Sequence, residues 1–369
     1  MKQVAIVGCG IVGATIAYEL SRISGLQVMV FDVQPPAQAA TGAALGVLMG
    51  IISHKTKGRA WAMRQISIRR YATLIPELEA ATGCTIPYNS YGILKLCFVD
   101  DDLASWERLI TLRQQQEWQL QLWQRDQLRA ICPQVQHSEV IAAVYSPQDG
   151  QVDPTALTLA LVQAAKQNGV YFRFNVQVQG WQSCSNGLQL HTSEGDWTAD
   201  WVVIAAGLGS MSLSQGSLPL TAHALKMQPV LGQAMRLRLD QPLGNPAFQP
   251  VITRQDIHIV PLQNQNNEYW IGATVEFPTA DLTASPVADP HRLEAVWQGA
   301  RALCPALGEA TILHTWSGLR PRPVDRAAPI VEPVAGDSRV LLATGHYRNG
   351  VLLAPATAQW VCEWIQQSL

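Results

Sequence analysis

The chain has 369 residues, of which 48% are hydrophobic and 15% are charged, and its formal net charge is −2. This composition excludes a disordered or fibrous protein and allows a large core, in two domains or in one domain with an elaborate insertion. The small net charge argues against a nucleic-acid partner, because phosphate binding usually requires an excess of Lys and Arg. We therefore expect a small-molecule substrate.

The cysteine pattern and the hydropathy exclude two further classes. The chain has seven cysteines, an odd number, with no CxxC pair and no Cys/His metal spacing. We therefore predict no metal site and a reducing, cytoplasmic location. No apolar run approaches the ~20 residues of a membrane-spanning helix. The basic residues from 54 to 70 predict a solvated helix face, with contact to anionic lipid as the disfavoured alternative.

The chain opens with a predicted βαβ unit. A strand over residues 4–7 leads into the turn Gly8-Cys9-Gly10-Ile11-Val12-Gly13. A helix over about 11–24 and a second strand over 27–32 complete the unit. Because the glycine pattern follows a strand and opens a helix, it predicts a dinucleotide-binding site.

Each position of this turn has a physical role. Gly8 permits a tight bend, Gly10 lets the backbone approach a pyrophosphate, and Gly13 lets the helix pack on the strand. The helix amino terminus faces the phosphates, and the carboxylate at the end of the second strand accepts hydrogen bonds from ribose. The residues predicted to contact the dinucleotide are Gly8, Gly10, Ile11, Val12, Gly13 and Asp32. A solvated acid at a strand end is the alternative for Asp32.

A second run of small residues follows the second strand. Thr41-Gly42-Ala43-Ala44-Leu45-Gly46 predicts a loop that wraps closely around a bulky cofactor group. NAD dehydrogenases usually continue into further βα units, so this loop favours FAD, which the glycine turn alone does not distinguish from NAD. A long helix is predicted over about 59–82, because its apolar residues recur at helical spacing.

The middle of the chain changes character twice. Residues 87–142 predict short strands, such as 91–98, and Gln- and Trp-rich helices. A second α/β unit begins at Asp153, with a helix through 165 and strands over 171–174 and 201–207. The last of these strands is apolar and ends in small residues, which is typical of a parallel strand that meets a ligand at its carboxyl end.

The remaining segments alternate between sheet-rich and α/β character. Residues 223–317 predict long alternating strands, for example 251–261 and 269–274, as in an antiparallel sheet. A strand over 340–343, a turn over 344–350 and an apolar helix ending near 365 return to the α/β pattern.

These segments predict an α/β plus α+β fold, in which a Rossmann-like FAD-binding domain is interleaved with an antiparallel-sheet substrate domain. We assign residues 1–86, 143–222 and 318–369 to the FAD-binding domain. Residues 87–142 and 223–317 form the predicted substrate-binding domain.

The chain resembles the glycine oxidase branch of the D-amino-acid oxidase flavoprotein family. The resemblance runs from end to end, and its most specific part is the segment after residue 344. Its motifs are the glycine turn, the Thr41–Gly46 loop, Ala205-Ala206-Gly207, Trp316-Ser317-Gly318-Leu319-Arg320-Pro321 and Gly345-His346-Tyr347-Arg348-Asn349-Gly350-Val351-Leu352-Leu353-Ala354-Pro355. The resemblance implies FAD as the cofactor and a sheet that covers one face of the isoalloxazine.

The resemblance also implies a reaction and its substrates. Glycine, a small D-amino acid or an N-methyl amino acid would lose a hydride from the alpha carbon to flavin N5. The resulting imine would hydrolyse to an oxoacid. Oxygen would be the electron acceptor of an oxidase, and a quinone or another carrier that of a D-amino-acid dehydrogenase. A homo-oligomer is possible, and the resemblance leaves the substrate side chain and the pathway open.

The family's substrate site implies three residues. Arg320 would bind the substrate carboxylate as a bidentate guanidinium, with a surface ion pair as the alternative. His258 stands where glycine oxidases usually have a tyrosine whose hydroxyl assists the substrate carboxylate. Its imidazole would donate the same hydrogen bond; a changed substrate preference and a plain sheet histidine are the alternatives. Arg348 would line the active site near the substrate or the flavin.

Further cofactor contacts are implied by the same resemblance. The turn before the last helix would aim N–H groups at the flavin N1 and C2 carbonyl edge, and Val176, in a strand predicted over 175–178, would pair its backbone with adenine. A satisfied turn histidine is the alternative for His346. These implied FAD contacts are Thr41, Gly42, Ala44, Leu45, Gly46, Val176, Ala206, Gly207, His346, Arg348, Asn349, Gly350, Val351 and Leu352.

Two alternatives to an amino-acid oxidoreductase stay open. A flavin-binding protein that has lost catalysis would serve as an assembly or regulatory partner. An NAD-dependent dehydrogenase would be colourless when purified. The family's usual Asp-Gly step after Arg320 is replaced by Asp325-Arg326, which leaves side-chain roles in that loop undetermined.

Overall fold

The computed structural model describes residues 1–185, 187–216, 218–219, 225–263, 267–278 and 289–368. The predicted domain boundary at 222/223 lies outside the described residues.

The strands form four sheets. In chain order they are β1 (Lys2–Val7), β2 (Leu26–Asp32), β3 (Val47–Leu48), β4 (Tyr88–Asn89), β5 (Ile93–Phe98), β6 (Gln121–Gln124), β7 (Val140–Ser146), β8 (Gly150–Val152), β9 (Tyr171–Phe174), β10 (Val178–Cys184), β11 (Gly187–Thr192), β12 (Gly195–Ala199), β13 (Trp201–Ile204), β14 (Ser214–Gln215), β15 (Leu218–Pro219), β16 (Met227–Arg238), β17 (Val251–Arg254), β18 (Ile257–Pro261), β19 (Glu268–Gly272), β20 (Thr311–Pro323), β21 (Ile330–Val334) and β22 (Asp337–Thr344).

The helices cover the sheets. They are α1 (Ile11–Ser21), α2 (Ala39–Gly42), α3 (Gly58–Thr82), α4 (Leu103–Gln115), α5 (Arg125–Ile131), α6 (Pro154–Gln167), α7 (Pro290–Leu303) and α8 (Gly350–Gln366). Two 3-10 helices, Gly207–Ser212 and Pro305–Glu309, complete the helical elements of the described residues. No helix among these residues has both the length and the hydrophobicity needed to cross a bilayer.

The first sheet has the strand order β21-β22-β13-β1-β2-β9. All its neighbours are parallel except β21 and β22, which are antiparallel. Residues 4–7 of β1 are all buried, as expected for a central strand that helices cover. Helix α1 packs against both α6 and α8, and its Ala14 and Ala17 are fully buried.

The largest sheet has eight strands in the order β20-β16-β19-β18-β17-β5-β7-β6. Its neighbours are antiparallel except β17 and β5. One face packs against α7 in a core that includes Leu237 and Ile271. The opposite face contributes Val144, Val251 and Val260 to the core shared with α1 and α8. Along the chain, β1 and β2 of the first sheet precede β5–β7 of the largest sheet, β9 and β13 precede β16–β20, and β21 and β22 follow. The predicted interleaving is therefore confirmed.

Two small sheets complete the fold. β3, β8 and β4 form a three-stranded sheet beside the loop that follows α2. β12, β11, β10, β14 and β15 form a five-stranded sheet against the back of the first sheet. The predicted domain boundaries at 143 and 318 fall inside β7 and β20, which are continuous strands of the largest sheet. The division into domains therefore stays a prediction.

Three details of the sequence prediction are wrong. Residues 251–261 form a hairpin rather than one strand, because Gln255 turns the chain with φ +51° and no glycine marks that turn. Val176 precedes β10 rather than lying in a strand, since Asn175 has φ +62°. The predicted strand over 201–207 ends at Ile204.

The basic stretch is exposed, as predicted, at His54, Lys55, Lys57, Arg59 and Arg69, whereas Arg64 and Arg70 are packed against the protein. Arg64 on α3 is only 8% exposed, and its Nη1 donates to the carbonyl of Ala60 at 2.8 Å. Arg70 pairs with Glu19 at 2.8 Å and with Glu77 at 2.7 Å. These arginines therefore belong to the packing of α3 rather than to a free basic face.

A buried carboxylate fixes the loop between β3 and α3. Asp149 accepts hydrogen bonds at 2.8 Å from the backbone N–H groups of Gly50, Ile51 and Ile52 and from the hydroxyl of Ser146. Burial raises the pKa of this carboxyl, and the four donors oppose that shift. The loop is the chain's route from the small-residue segment to α3.

We expect Asp149→Asn to lower the free energy of unfolding by about 3 kcal/mol, because the amide NH₂ would face buried N–H donors. Urea unfolding of the FAD-loaded protein measures the change. Asp240→Asn makes the same chemical change at an exposed position, so it should unfold like the parent. Equal midpoints for both variants would contradict the role given to Asp149.

Candidate active site

A cavity of about 850 Å³ lies where the carboxyl ends of the parallel strands meet the largest sheet. Its lining includes Asp32 at the end of β2 and Arg320 on β20. The predicted residues that line it are Gly8, Gly10, Ile11, Val12, Asp32, Thr41, Ala44, Leu45, Gly46, Val176, Ala206, Gly207, His258, Arg320, His346, Arg348, Asn349, Gly350 and Val351. Gly13, Gly42 and Leu352 do not line it.

The glycine turn forms one end of the cavity. Gly8 has φ +105°, and a Cβ there would lie 2.6 Å from the carbonyl oxygen of Ala205. A Cβ at Gly10 would lie 3.0 Å from Thr41 Oγ1, on the cavity side. Gly13 touches the backbone of Gly8, so its role is to let α1 pack on the turn. The turn therefore leaves its backbone accessible from the cavity.

Asp32 is held by two backbone donors. Its Oδ2 accepts from Cys9 N at 2.5 Å and its Oδ1 from Gln34 N at 2.9 Å. Burial raises the pKa of the carboxyl. Val176 lies beside it and donates its own N–H to the carbonyl of Asp32 at 3.0 Å. Only the carbonyl of Val176 is therefore left for a ligand's adenine.

The small-residue loop covers α1 and meets β20. Thr41 Oγ1 accepts the N–H of Ile11 at 3.0 Å, so this loop satisfies one donor of the helix amino terminus. Trp316 Nε1 donates to the carbonyl of Ala43 at 3.1 Å. A Cβ at Gly318 would collide with Ala43. These contacts hold the loop against the strand that carries Arg320.

Arg320 projects into the other end of the cavity. Its Nη1 donates to the carbonyls of Leu231 at 3.1 Å and Thr274 at 3.0 Å. Its guanidinium lies over Gly232, where a side chain would collide with it. Burial, and then the charge of Arg348, lowers the pKa of Arg320. Nε and Nη2 have no protein partner within the described parts of the chain, so they can donate to a ligand.

His258 lies on the same face of the largest sheet and lines the cavity. Its Nδ1 is 2.8 Å from Thr253 Oγ1 on the paired strand β17. Burial, followed by the charge of Arg348, lowers the pKa of His258 to about 4. The imidazole is therefore neutral at physiological pH.

Arg348 lines the cavity as an ion-paired residue. Its Nη2 is 2.6 Å from Asp256 Oδ1 in the turn between β17 and β18. Asp256 also lines the cavity. The sequence analysis did not single out Asp256, although it precedes His258 by only two positions.

The turn before α8, which contains Arg348, lines the cavity. Tyr347 has φ +54° and donates its N–H to the carbonyl of Pro321 at 3.0 Å. His346 Nε2 is 2.9 Å from Thr357 Oγ1 inside α8, and burial lowers the pKa of His346 to about 3. The imidazole of His346 is thus neutral, and its Nε2 is hydrogen-bonded within the protein. Gly350 and Val351 bring the amino terminus of α8 to the cavity.

The donors and the shape of the cavity are suited to FAD. The backbone of the glycine turn at Gly10 and the amino terminus of α1 would hold the pyrophosphate. Asp32 would accept hydrogen bonds from the ribose hydroxyls. The amino terminus of α8 would face the isoalloxazine edge. No group of three or more His, Cys, Asp or Glu side chains capable of holding a metal occurs in the described ranges. All seven cysteines lie in those ranges and are free.

Comparison with known proteins agrees with this geometry. The family described as "FAD dependent oxidoreductase" (DAO) matches residues 3–364. The bifunctional protein ThiO/ThiG of Synechocystis sp. is 32% identical over 99% of this chain, which covers 51% of that protein. The chain therefore spans about half the length of such bifunctional relatives.

Two further comparisons cover nearly the full length of both chains. The glycine oxidase of Geobacillus kaustophilus is 28% identical, over 99% of this chain and 93% of its own sequence. The crystal structure of glycine oxidase from Geobacillus kaustophilus matches with a TM-score of 0.86 at 27% identity, covering 100% of this chain and 95% of that one.

We expect Gly8→Ala to abolish FAD binding, because its Cβ would collide with the backbone at 205–206 and the residue would keep an unfavourable φ. The ratio of absorbance at 450 nm to that at 280 nm in purified protein reports the bound flavin. Gly308→Ala is the control, since its nearest neighbour would be the flexible Arg301 side chain at 3.2 Å. Full flavin content in Gly8→Ala would contradict the close approach.

We expect the His258 imidazole to stay neutral from pH 8 down to pH 5, because its lowered pKa of about 4 keeps it deprotonated throughout this range. ¹⁵N-histidine NMR of the FAD-loaded protein measures this, and His258→Gln assigns the signal. A titration midpoint near 6.5 would show that the ring is solvated.

Proposed function

The chain belongs to the family of FAD dependent oxidoreductases, and from this membership we propose that it oxidises glycine or another small amino acid. D-amino acids and N-methyl amino acids with small side chains are the proposed substrate range. The products are an imine and, after hydrolysis, an oxoacid. Oxygen is the proposed acceptor, since relatives of similar length are named glycine oxidase.

The observation that carries the proposal is the position of Arg320. It lines the cavity from β20, and its Nε and Nη2 have no partner among the described residues. A planar guanidinium with two free donors matches a carboxylate. The carbonyls of Leu231 and Thr274 fix its Nη1, so the bound carboxylate would have one orientation.

FAD, when bound, accepts the hydride from the alpha carbon of the substrate. The protein's contribution is orientation. When the substrate carboxylate is fixed, the neighbouring alpha carbon is also held near its reactive position. His258 Nδ1 is engaged with Thr253, so Nε2 is the nitrogen that would meet the substrate. A neutral imidazole can donate that hydrogen bond without adding a charge.

The function is tested by anaerobic addition of glycine, sarcosine and D-alanine to the purified yellow protein. Bleaching of the flavin absorbance, followed by release of hydrogen peroxide on admission of oxygen, is the expected result. Bleaching without peroxide would favour a dehydrogenase. A yellow protein that none of these amines bleaches would favour a flavin-binding protein without catalysis.

We expect Arg320→Ala to lower kcat/KM for glycine by about 10³-fold, because the substrate carboxylate would lose its bidentate partner and its fixed orientation. The variant should keep its FAD, since Arg320 lies away from the glycine turn. Arg322→Ala is the matched control, because Arg322 is exposed on the same strand. Equal kcat/KM values for the two variants would contradict the role given to Arg320.

A further inference from the structure

The ion pair between Arg348 and Asp256 lies at the substrate end of the cavity. Asp256 belongs to the β17–β18 turn, where its carbonyl accepts the N–H of Ala273 at 2.8 Å. Arg348 belongs to the turn before α8. The two side chains are 38% and 53% exposed and meet at 2.6 Å. The pair thus joins two segments that line the same cavity.

The charges around this end of the cavity can be counted from the described residues. Arg320 and Arg348 are positive, Asp256 is negative, and His258 is neutral. Lys95 stands on the same sheet face, since it pairs with Thr253, which pairs with His258. Its charge contributes to the lowered pKa of His258, but Lys95 does not line the cavity. Arg320, Arg348 and Asp256 together therefore carry one net positive charge, enough for one carboxylate. Asp32, the other charged side chain among the described lining residues, lies against Cys9 of the glycine turn. Glu276, whose charge also acts on Arg320, does not line the cavity.

Asp256 keeps the net charge of Arg320, Arg348 and Asp256 at +1. Arg348 and Arg320 interact electrostatically, since the charge of Arg348 contributes to lowering the pKa of Arg320. If Asp256 were neutral, the cavity would present two guanidinium groups. A ligand with two acidic groups could then use both.

We propose that Asp256 is a specificity-determining residue that restricts the enzyme to amino acids with a single carboxylate. This inference rests on the proposed function and narrows its substrate class. A second carboxylate on the substrate must either compete with Asp256 for Arg348 or lie beside Asp256 unpaired. Both arrangements disfavour a substrate with two carboxylates. In the first, Asp256 already neutralises the charge of Arg348, so the second carboxylate gains little attraction. In the second, the two carboxylates repel each other at close range.

The test compares substrates that have the same shape and differ only in charge. D-asparagine and D-aspartate are such a pair, so steric effects cancel in the ratio of their kcat/KM values. We expect the parent enzyme to prefer D-asparagine. Asp256→Asn should shift the ratio towards D-aspartate by about tenfold, the effect of one charge at a half-exposed site.

Two further variants isolate the cause. Asp240→Asn removes an exposed carboxylate that does not line the cavity, so its ratio should equal that of the parent. The double variant Asp256→Asn, Arg348→Met removes both charges of the pair and restores a single positive charge. Its ratio should return towards the parent value. A double variant that keeps the whole shift would overturn the proposal, because the freed Arg348 could not be its cause.

A binding measurement separates this inference from the proposed function. Malonate and its monoamide malonamate are unreactive carboxylates of the same shape, and their dissociation constants are obtained from the flavin spectrum. Asp256→Asn should tighten malonate about tenfold relative to malonamate. If glycine bleaches the flavin and neither ratio shifts, the inference alone fails. If no amine bleaches the flavin, the proposed function fails, and the binding ratio still decides whether Asp256 selects by charge.

Discussion

The cavity depends on close contacts between segments that are far apart in the chain. At Gly8, Gly46 and Gly318 a Cβ would collide with Ala205, Val152 and Ala43, respectively. Each contact joins the first fifty residues to a later segment, and each is too short for a side chain on the glycine. The parallel sheet, the small-residue loop and β20 therefore converge only because three positions carry no side chain. The walls of the cavity are the surfaces that this convergence leaves facing each other.

Electrostatics then divides the cavity into two ends. Near the glycine turn, helix amino termini and backbone N–H groups would attract phosphate without a buried cation. At the other end, burial keeps His258 and His346 neutral, so the charge there comes from Arg320 and the Arg348–Asp256 pair. A neutral imidazole near the partly buried Arg320 guanidinium avoids the repulsion that an imidazolium would add. The substrate end is thereby matched to an anion, and the opposite end to a phosphate.

Contiguous motifs made much of this arrangement predictable from the sequence. The glycine turn, Asp32 and the turn before α8 are each local patterns, and all of their residues except Cys9 and Gly13 line one cavity. Asp256 and Gly232 were missed because their importance depends on register. Gly232 matters only since β16 brings it beneath Arg320, and Asp256 only since a hairpin turn without glycine places it against Arg348. The roles of the predicted site residues remain predictions, of which the variants above test those of Gly8 and Arg320.

Strand β20 links the substrate anchor to the cofactor segment. Trp316 and Gly318 contact Ala43 in the small-residue loop, and Arg320 follows on the same face of the same strand. A paired β-strand advances about 3.3 Å per residue and bends little over a few residues. The distance from the loop that would wrap the flavin to the guanidinium that would hold the carboxylate is therefore set by one rigid element. Since the proposed hydride transfer would require the alpha carbon at a fixed distance from the flavin, the spacing of Trp316, Gly318 and Arg320 along β20 would set the alignment of substrate and cofactor.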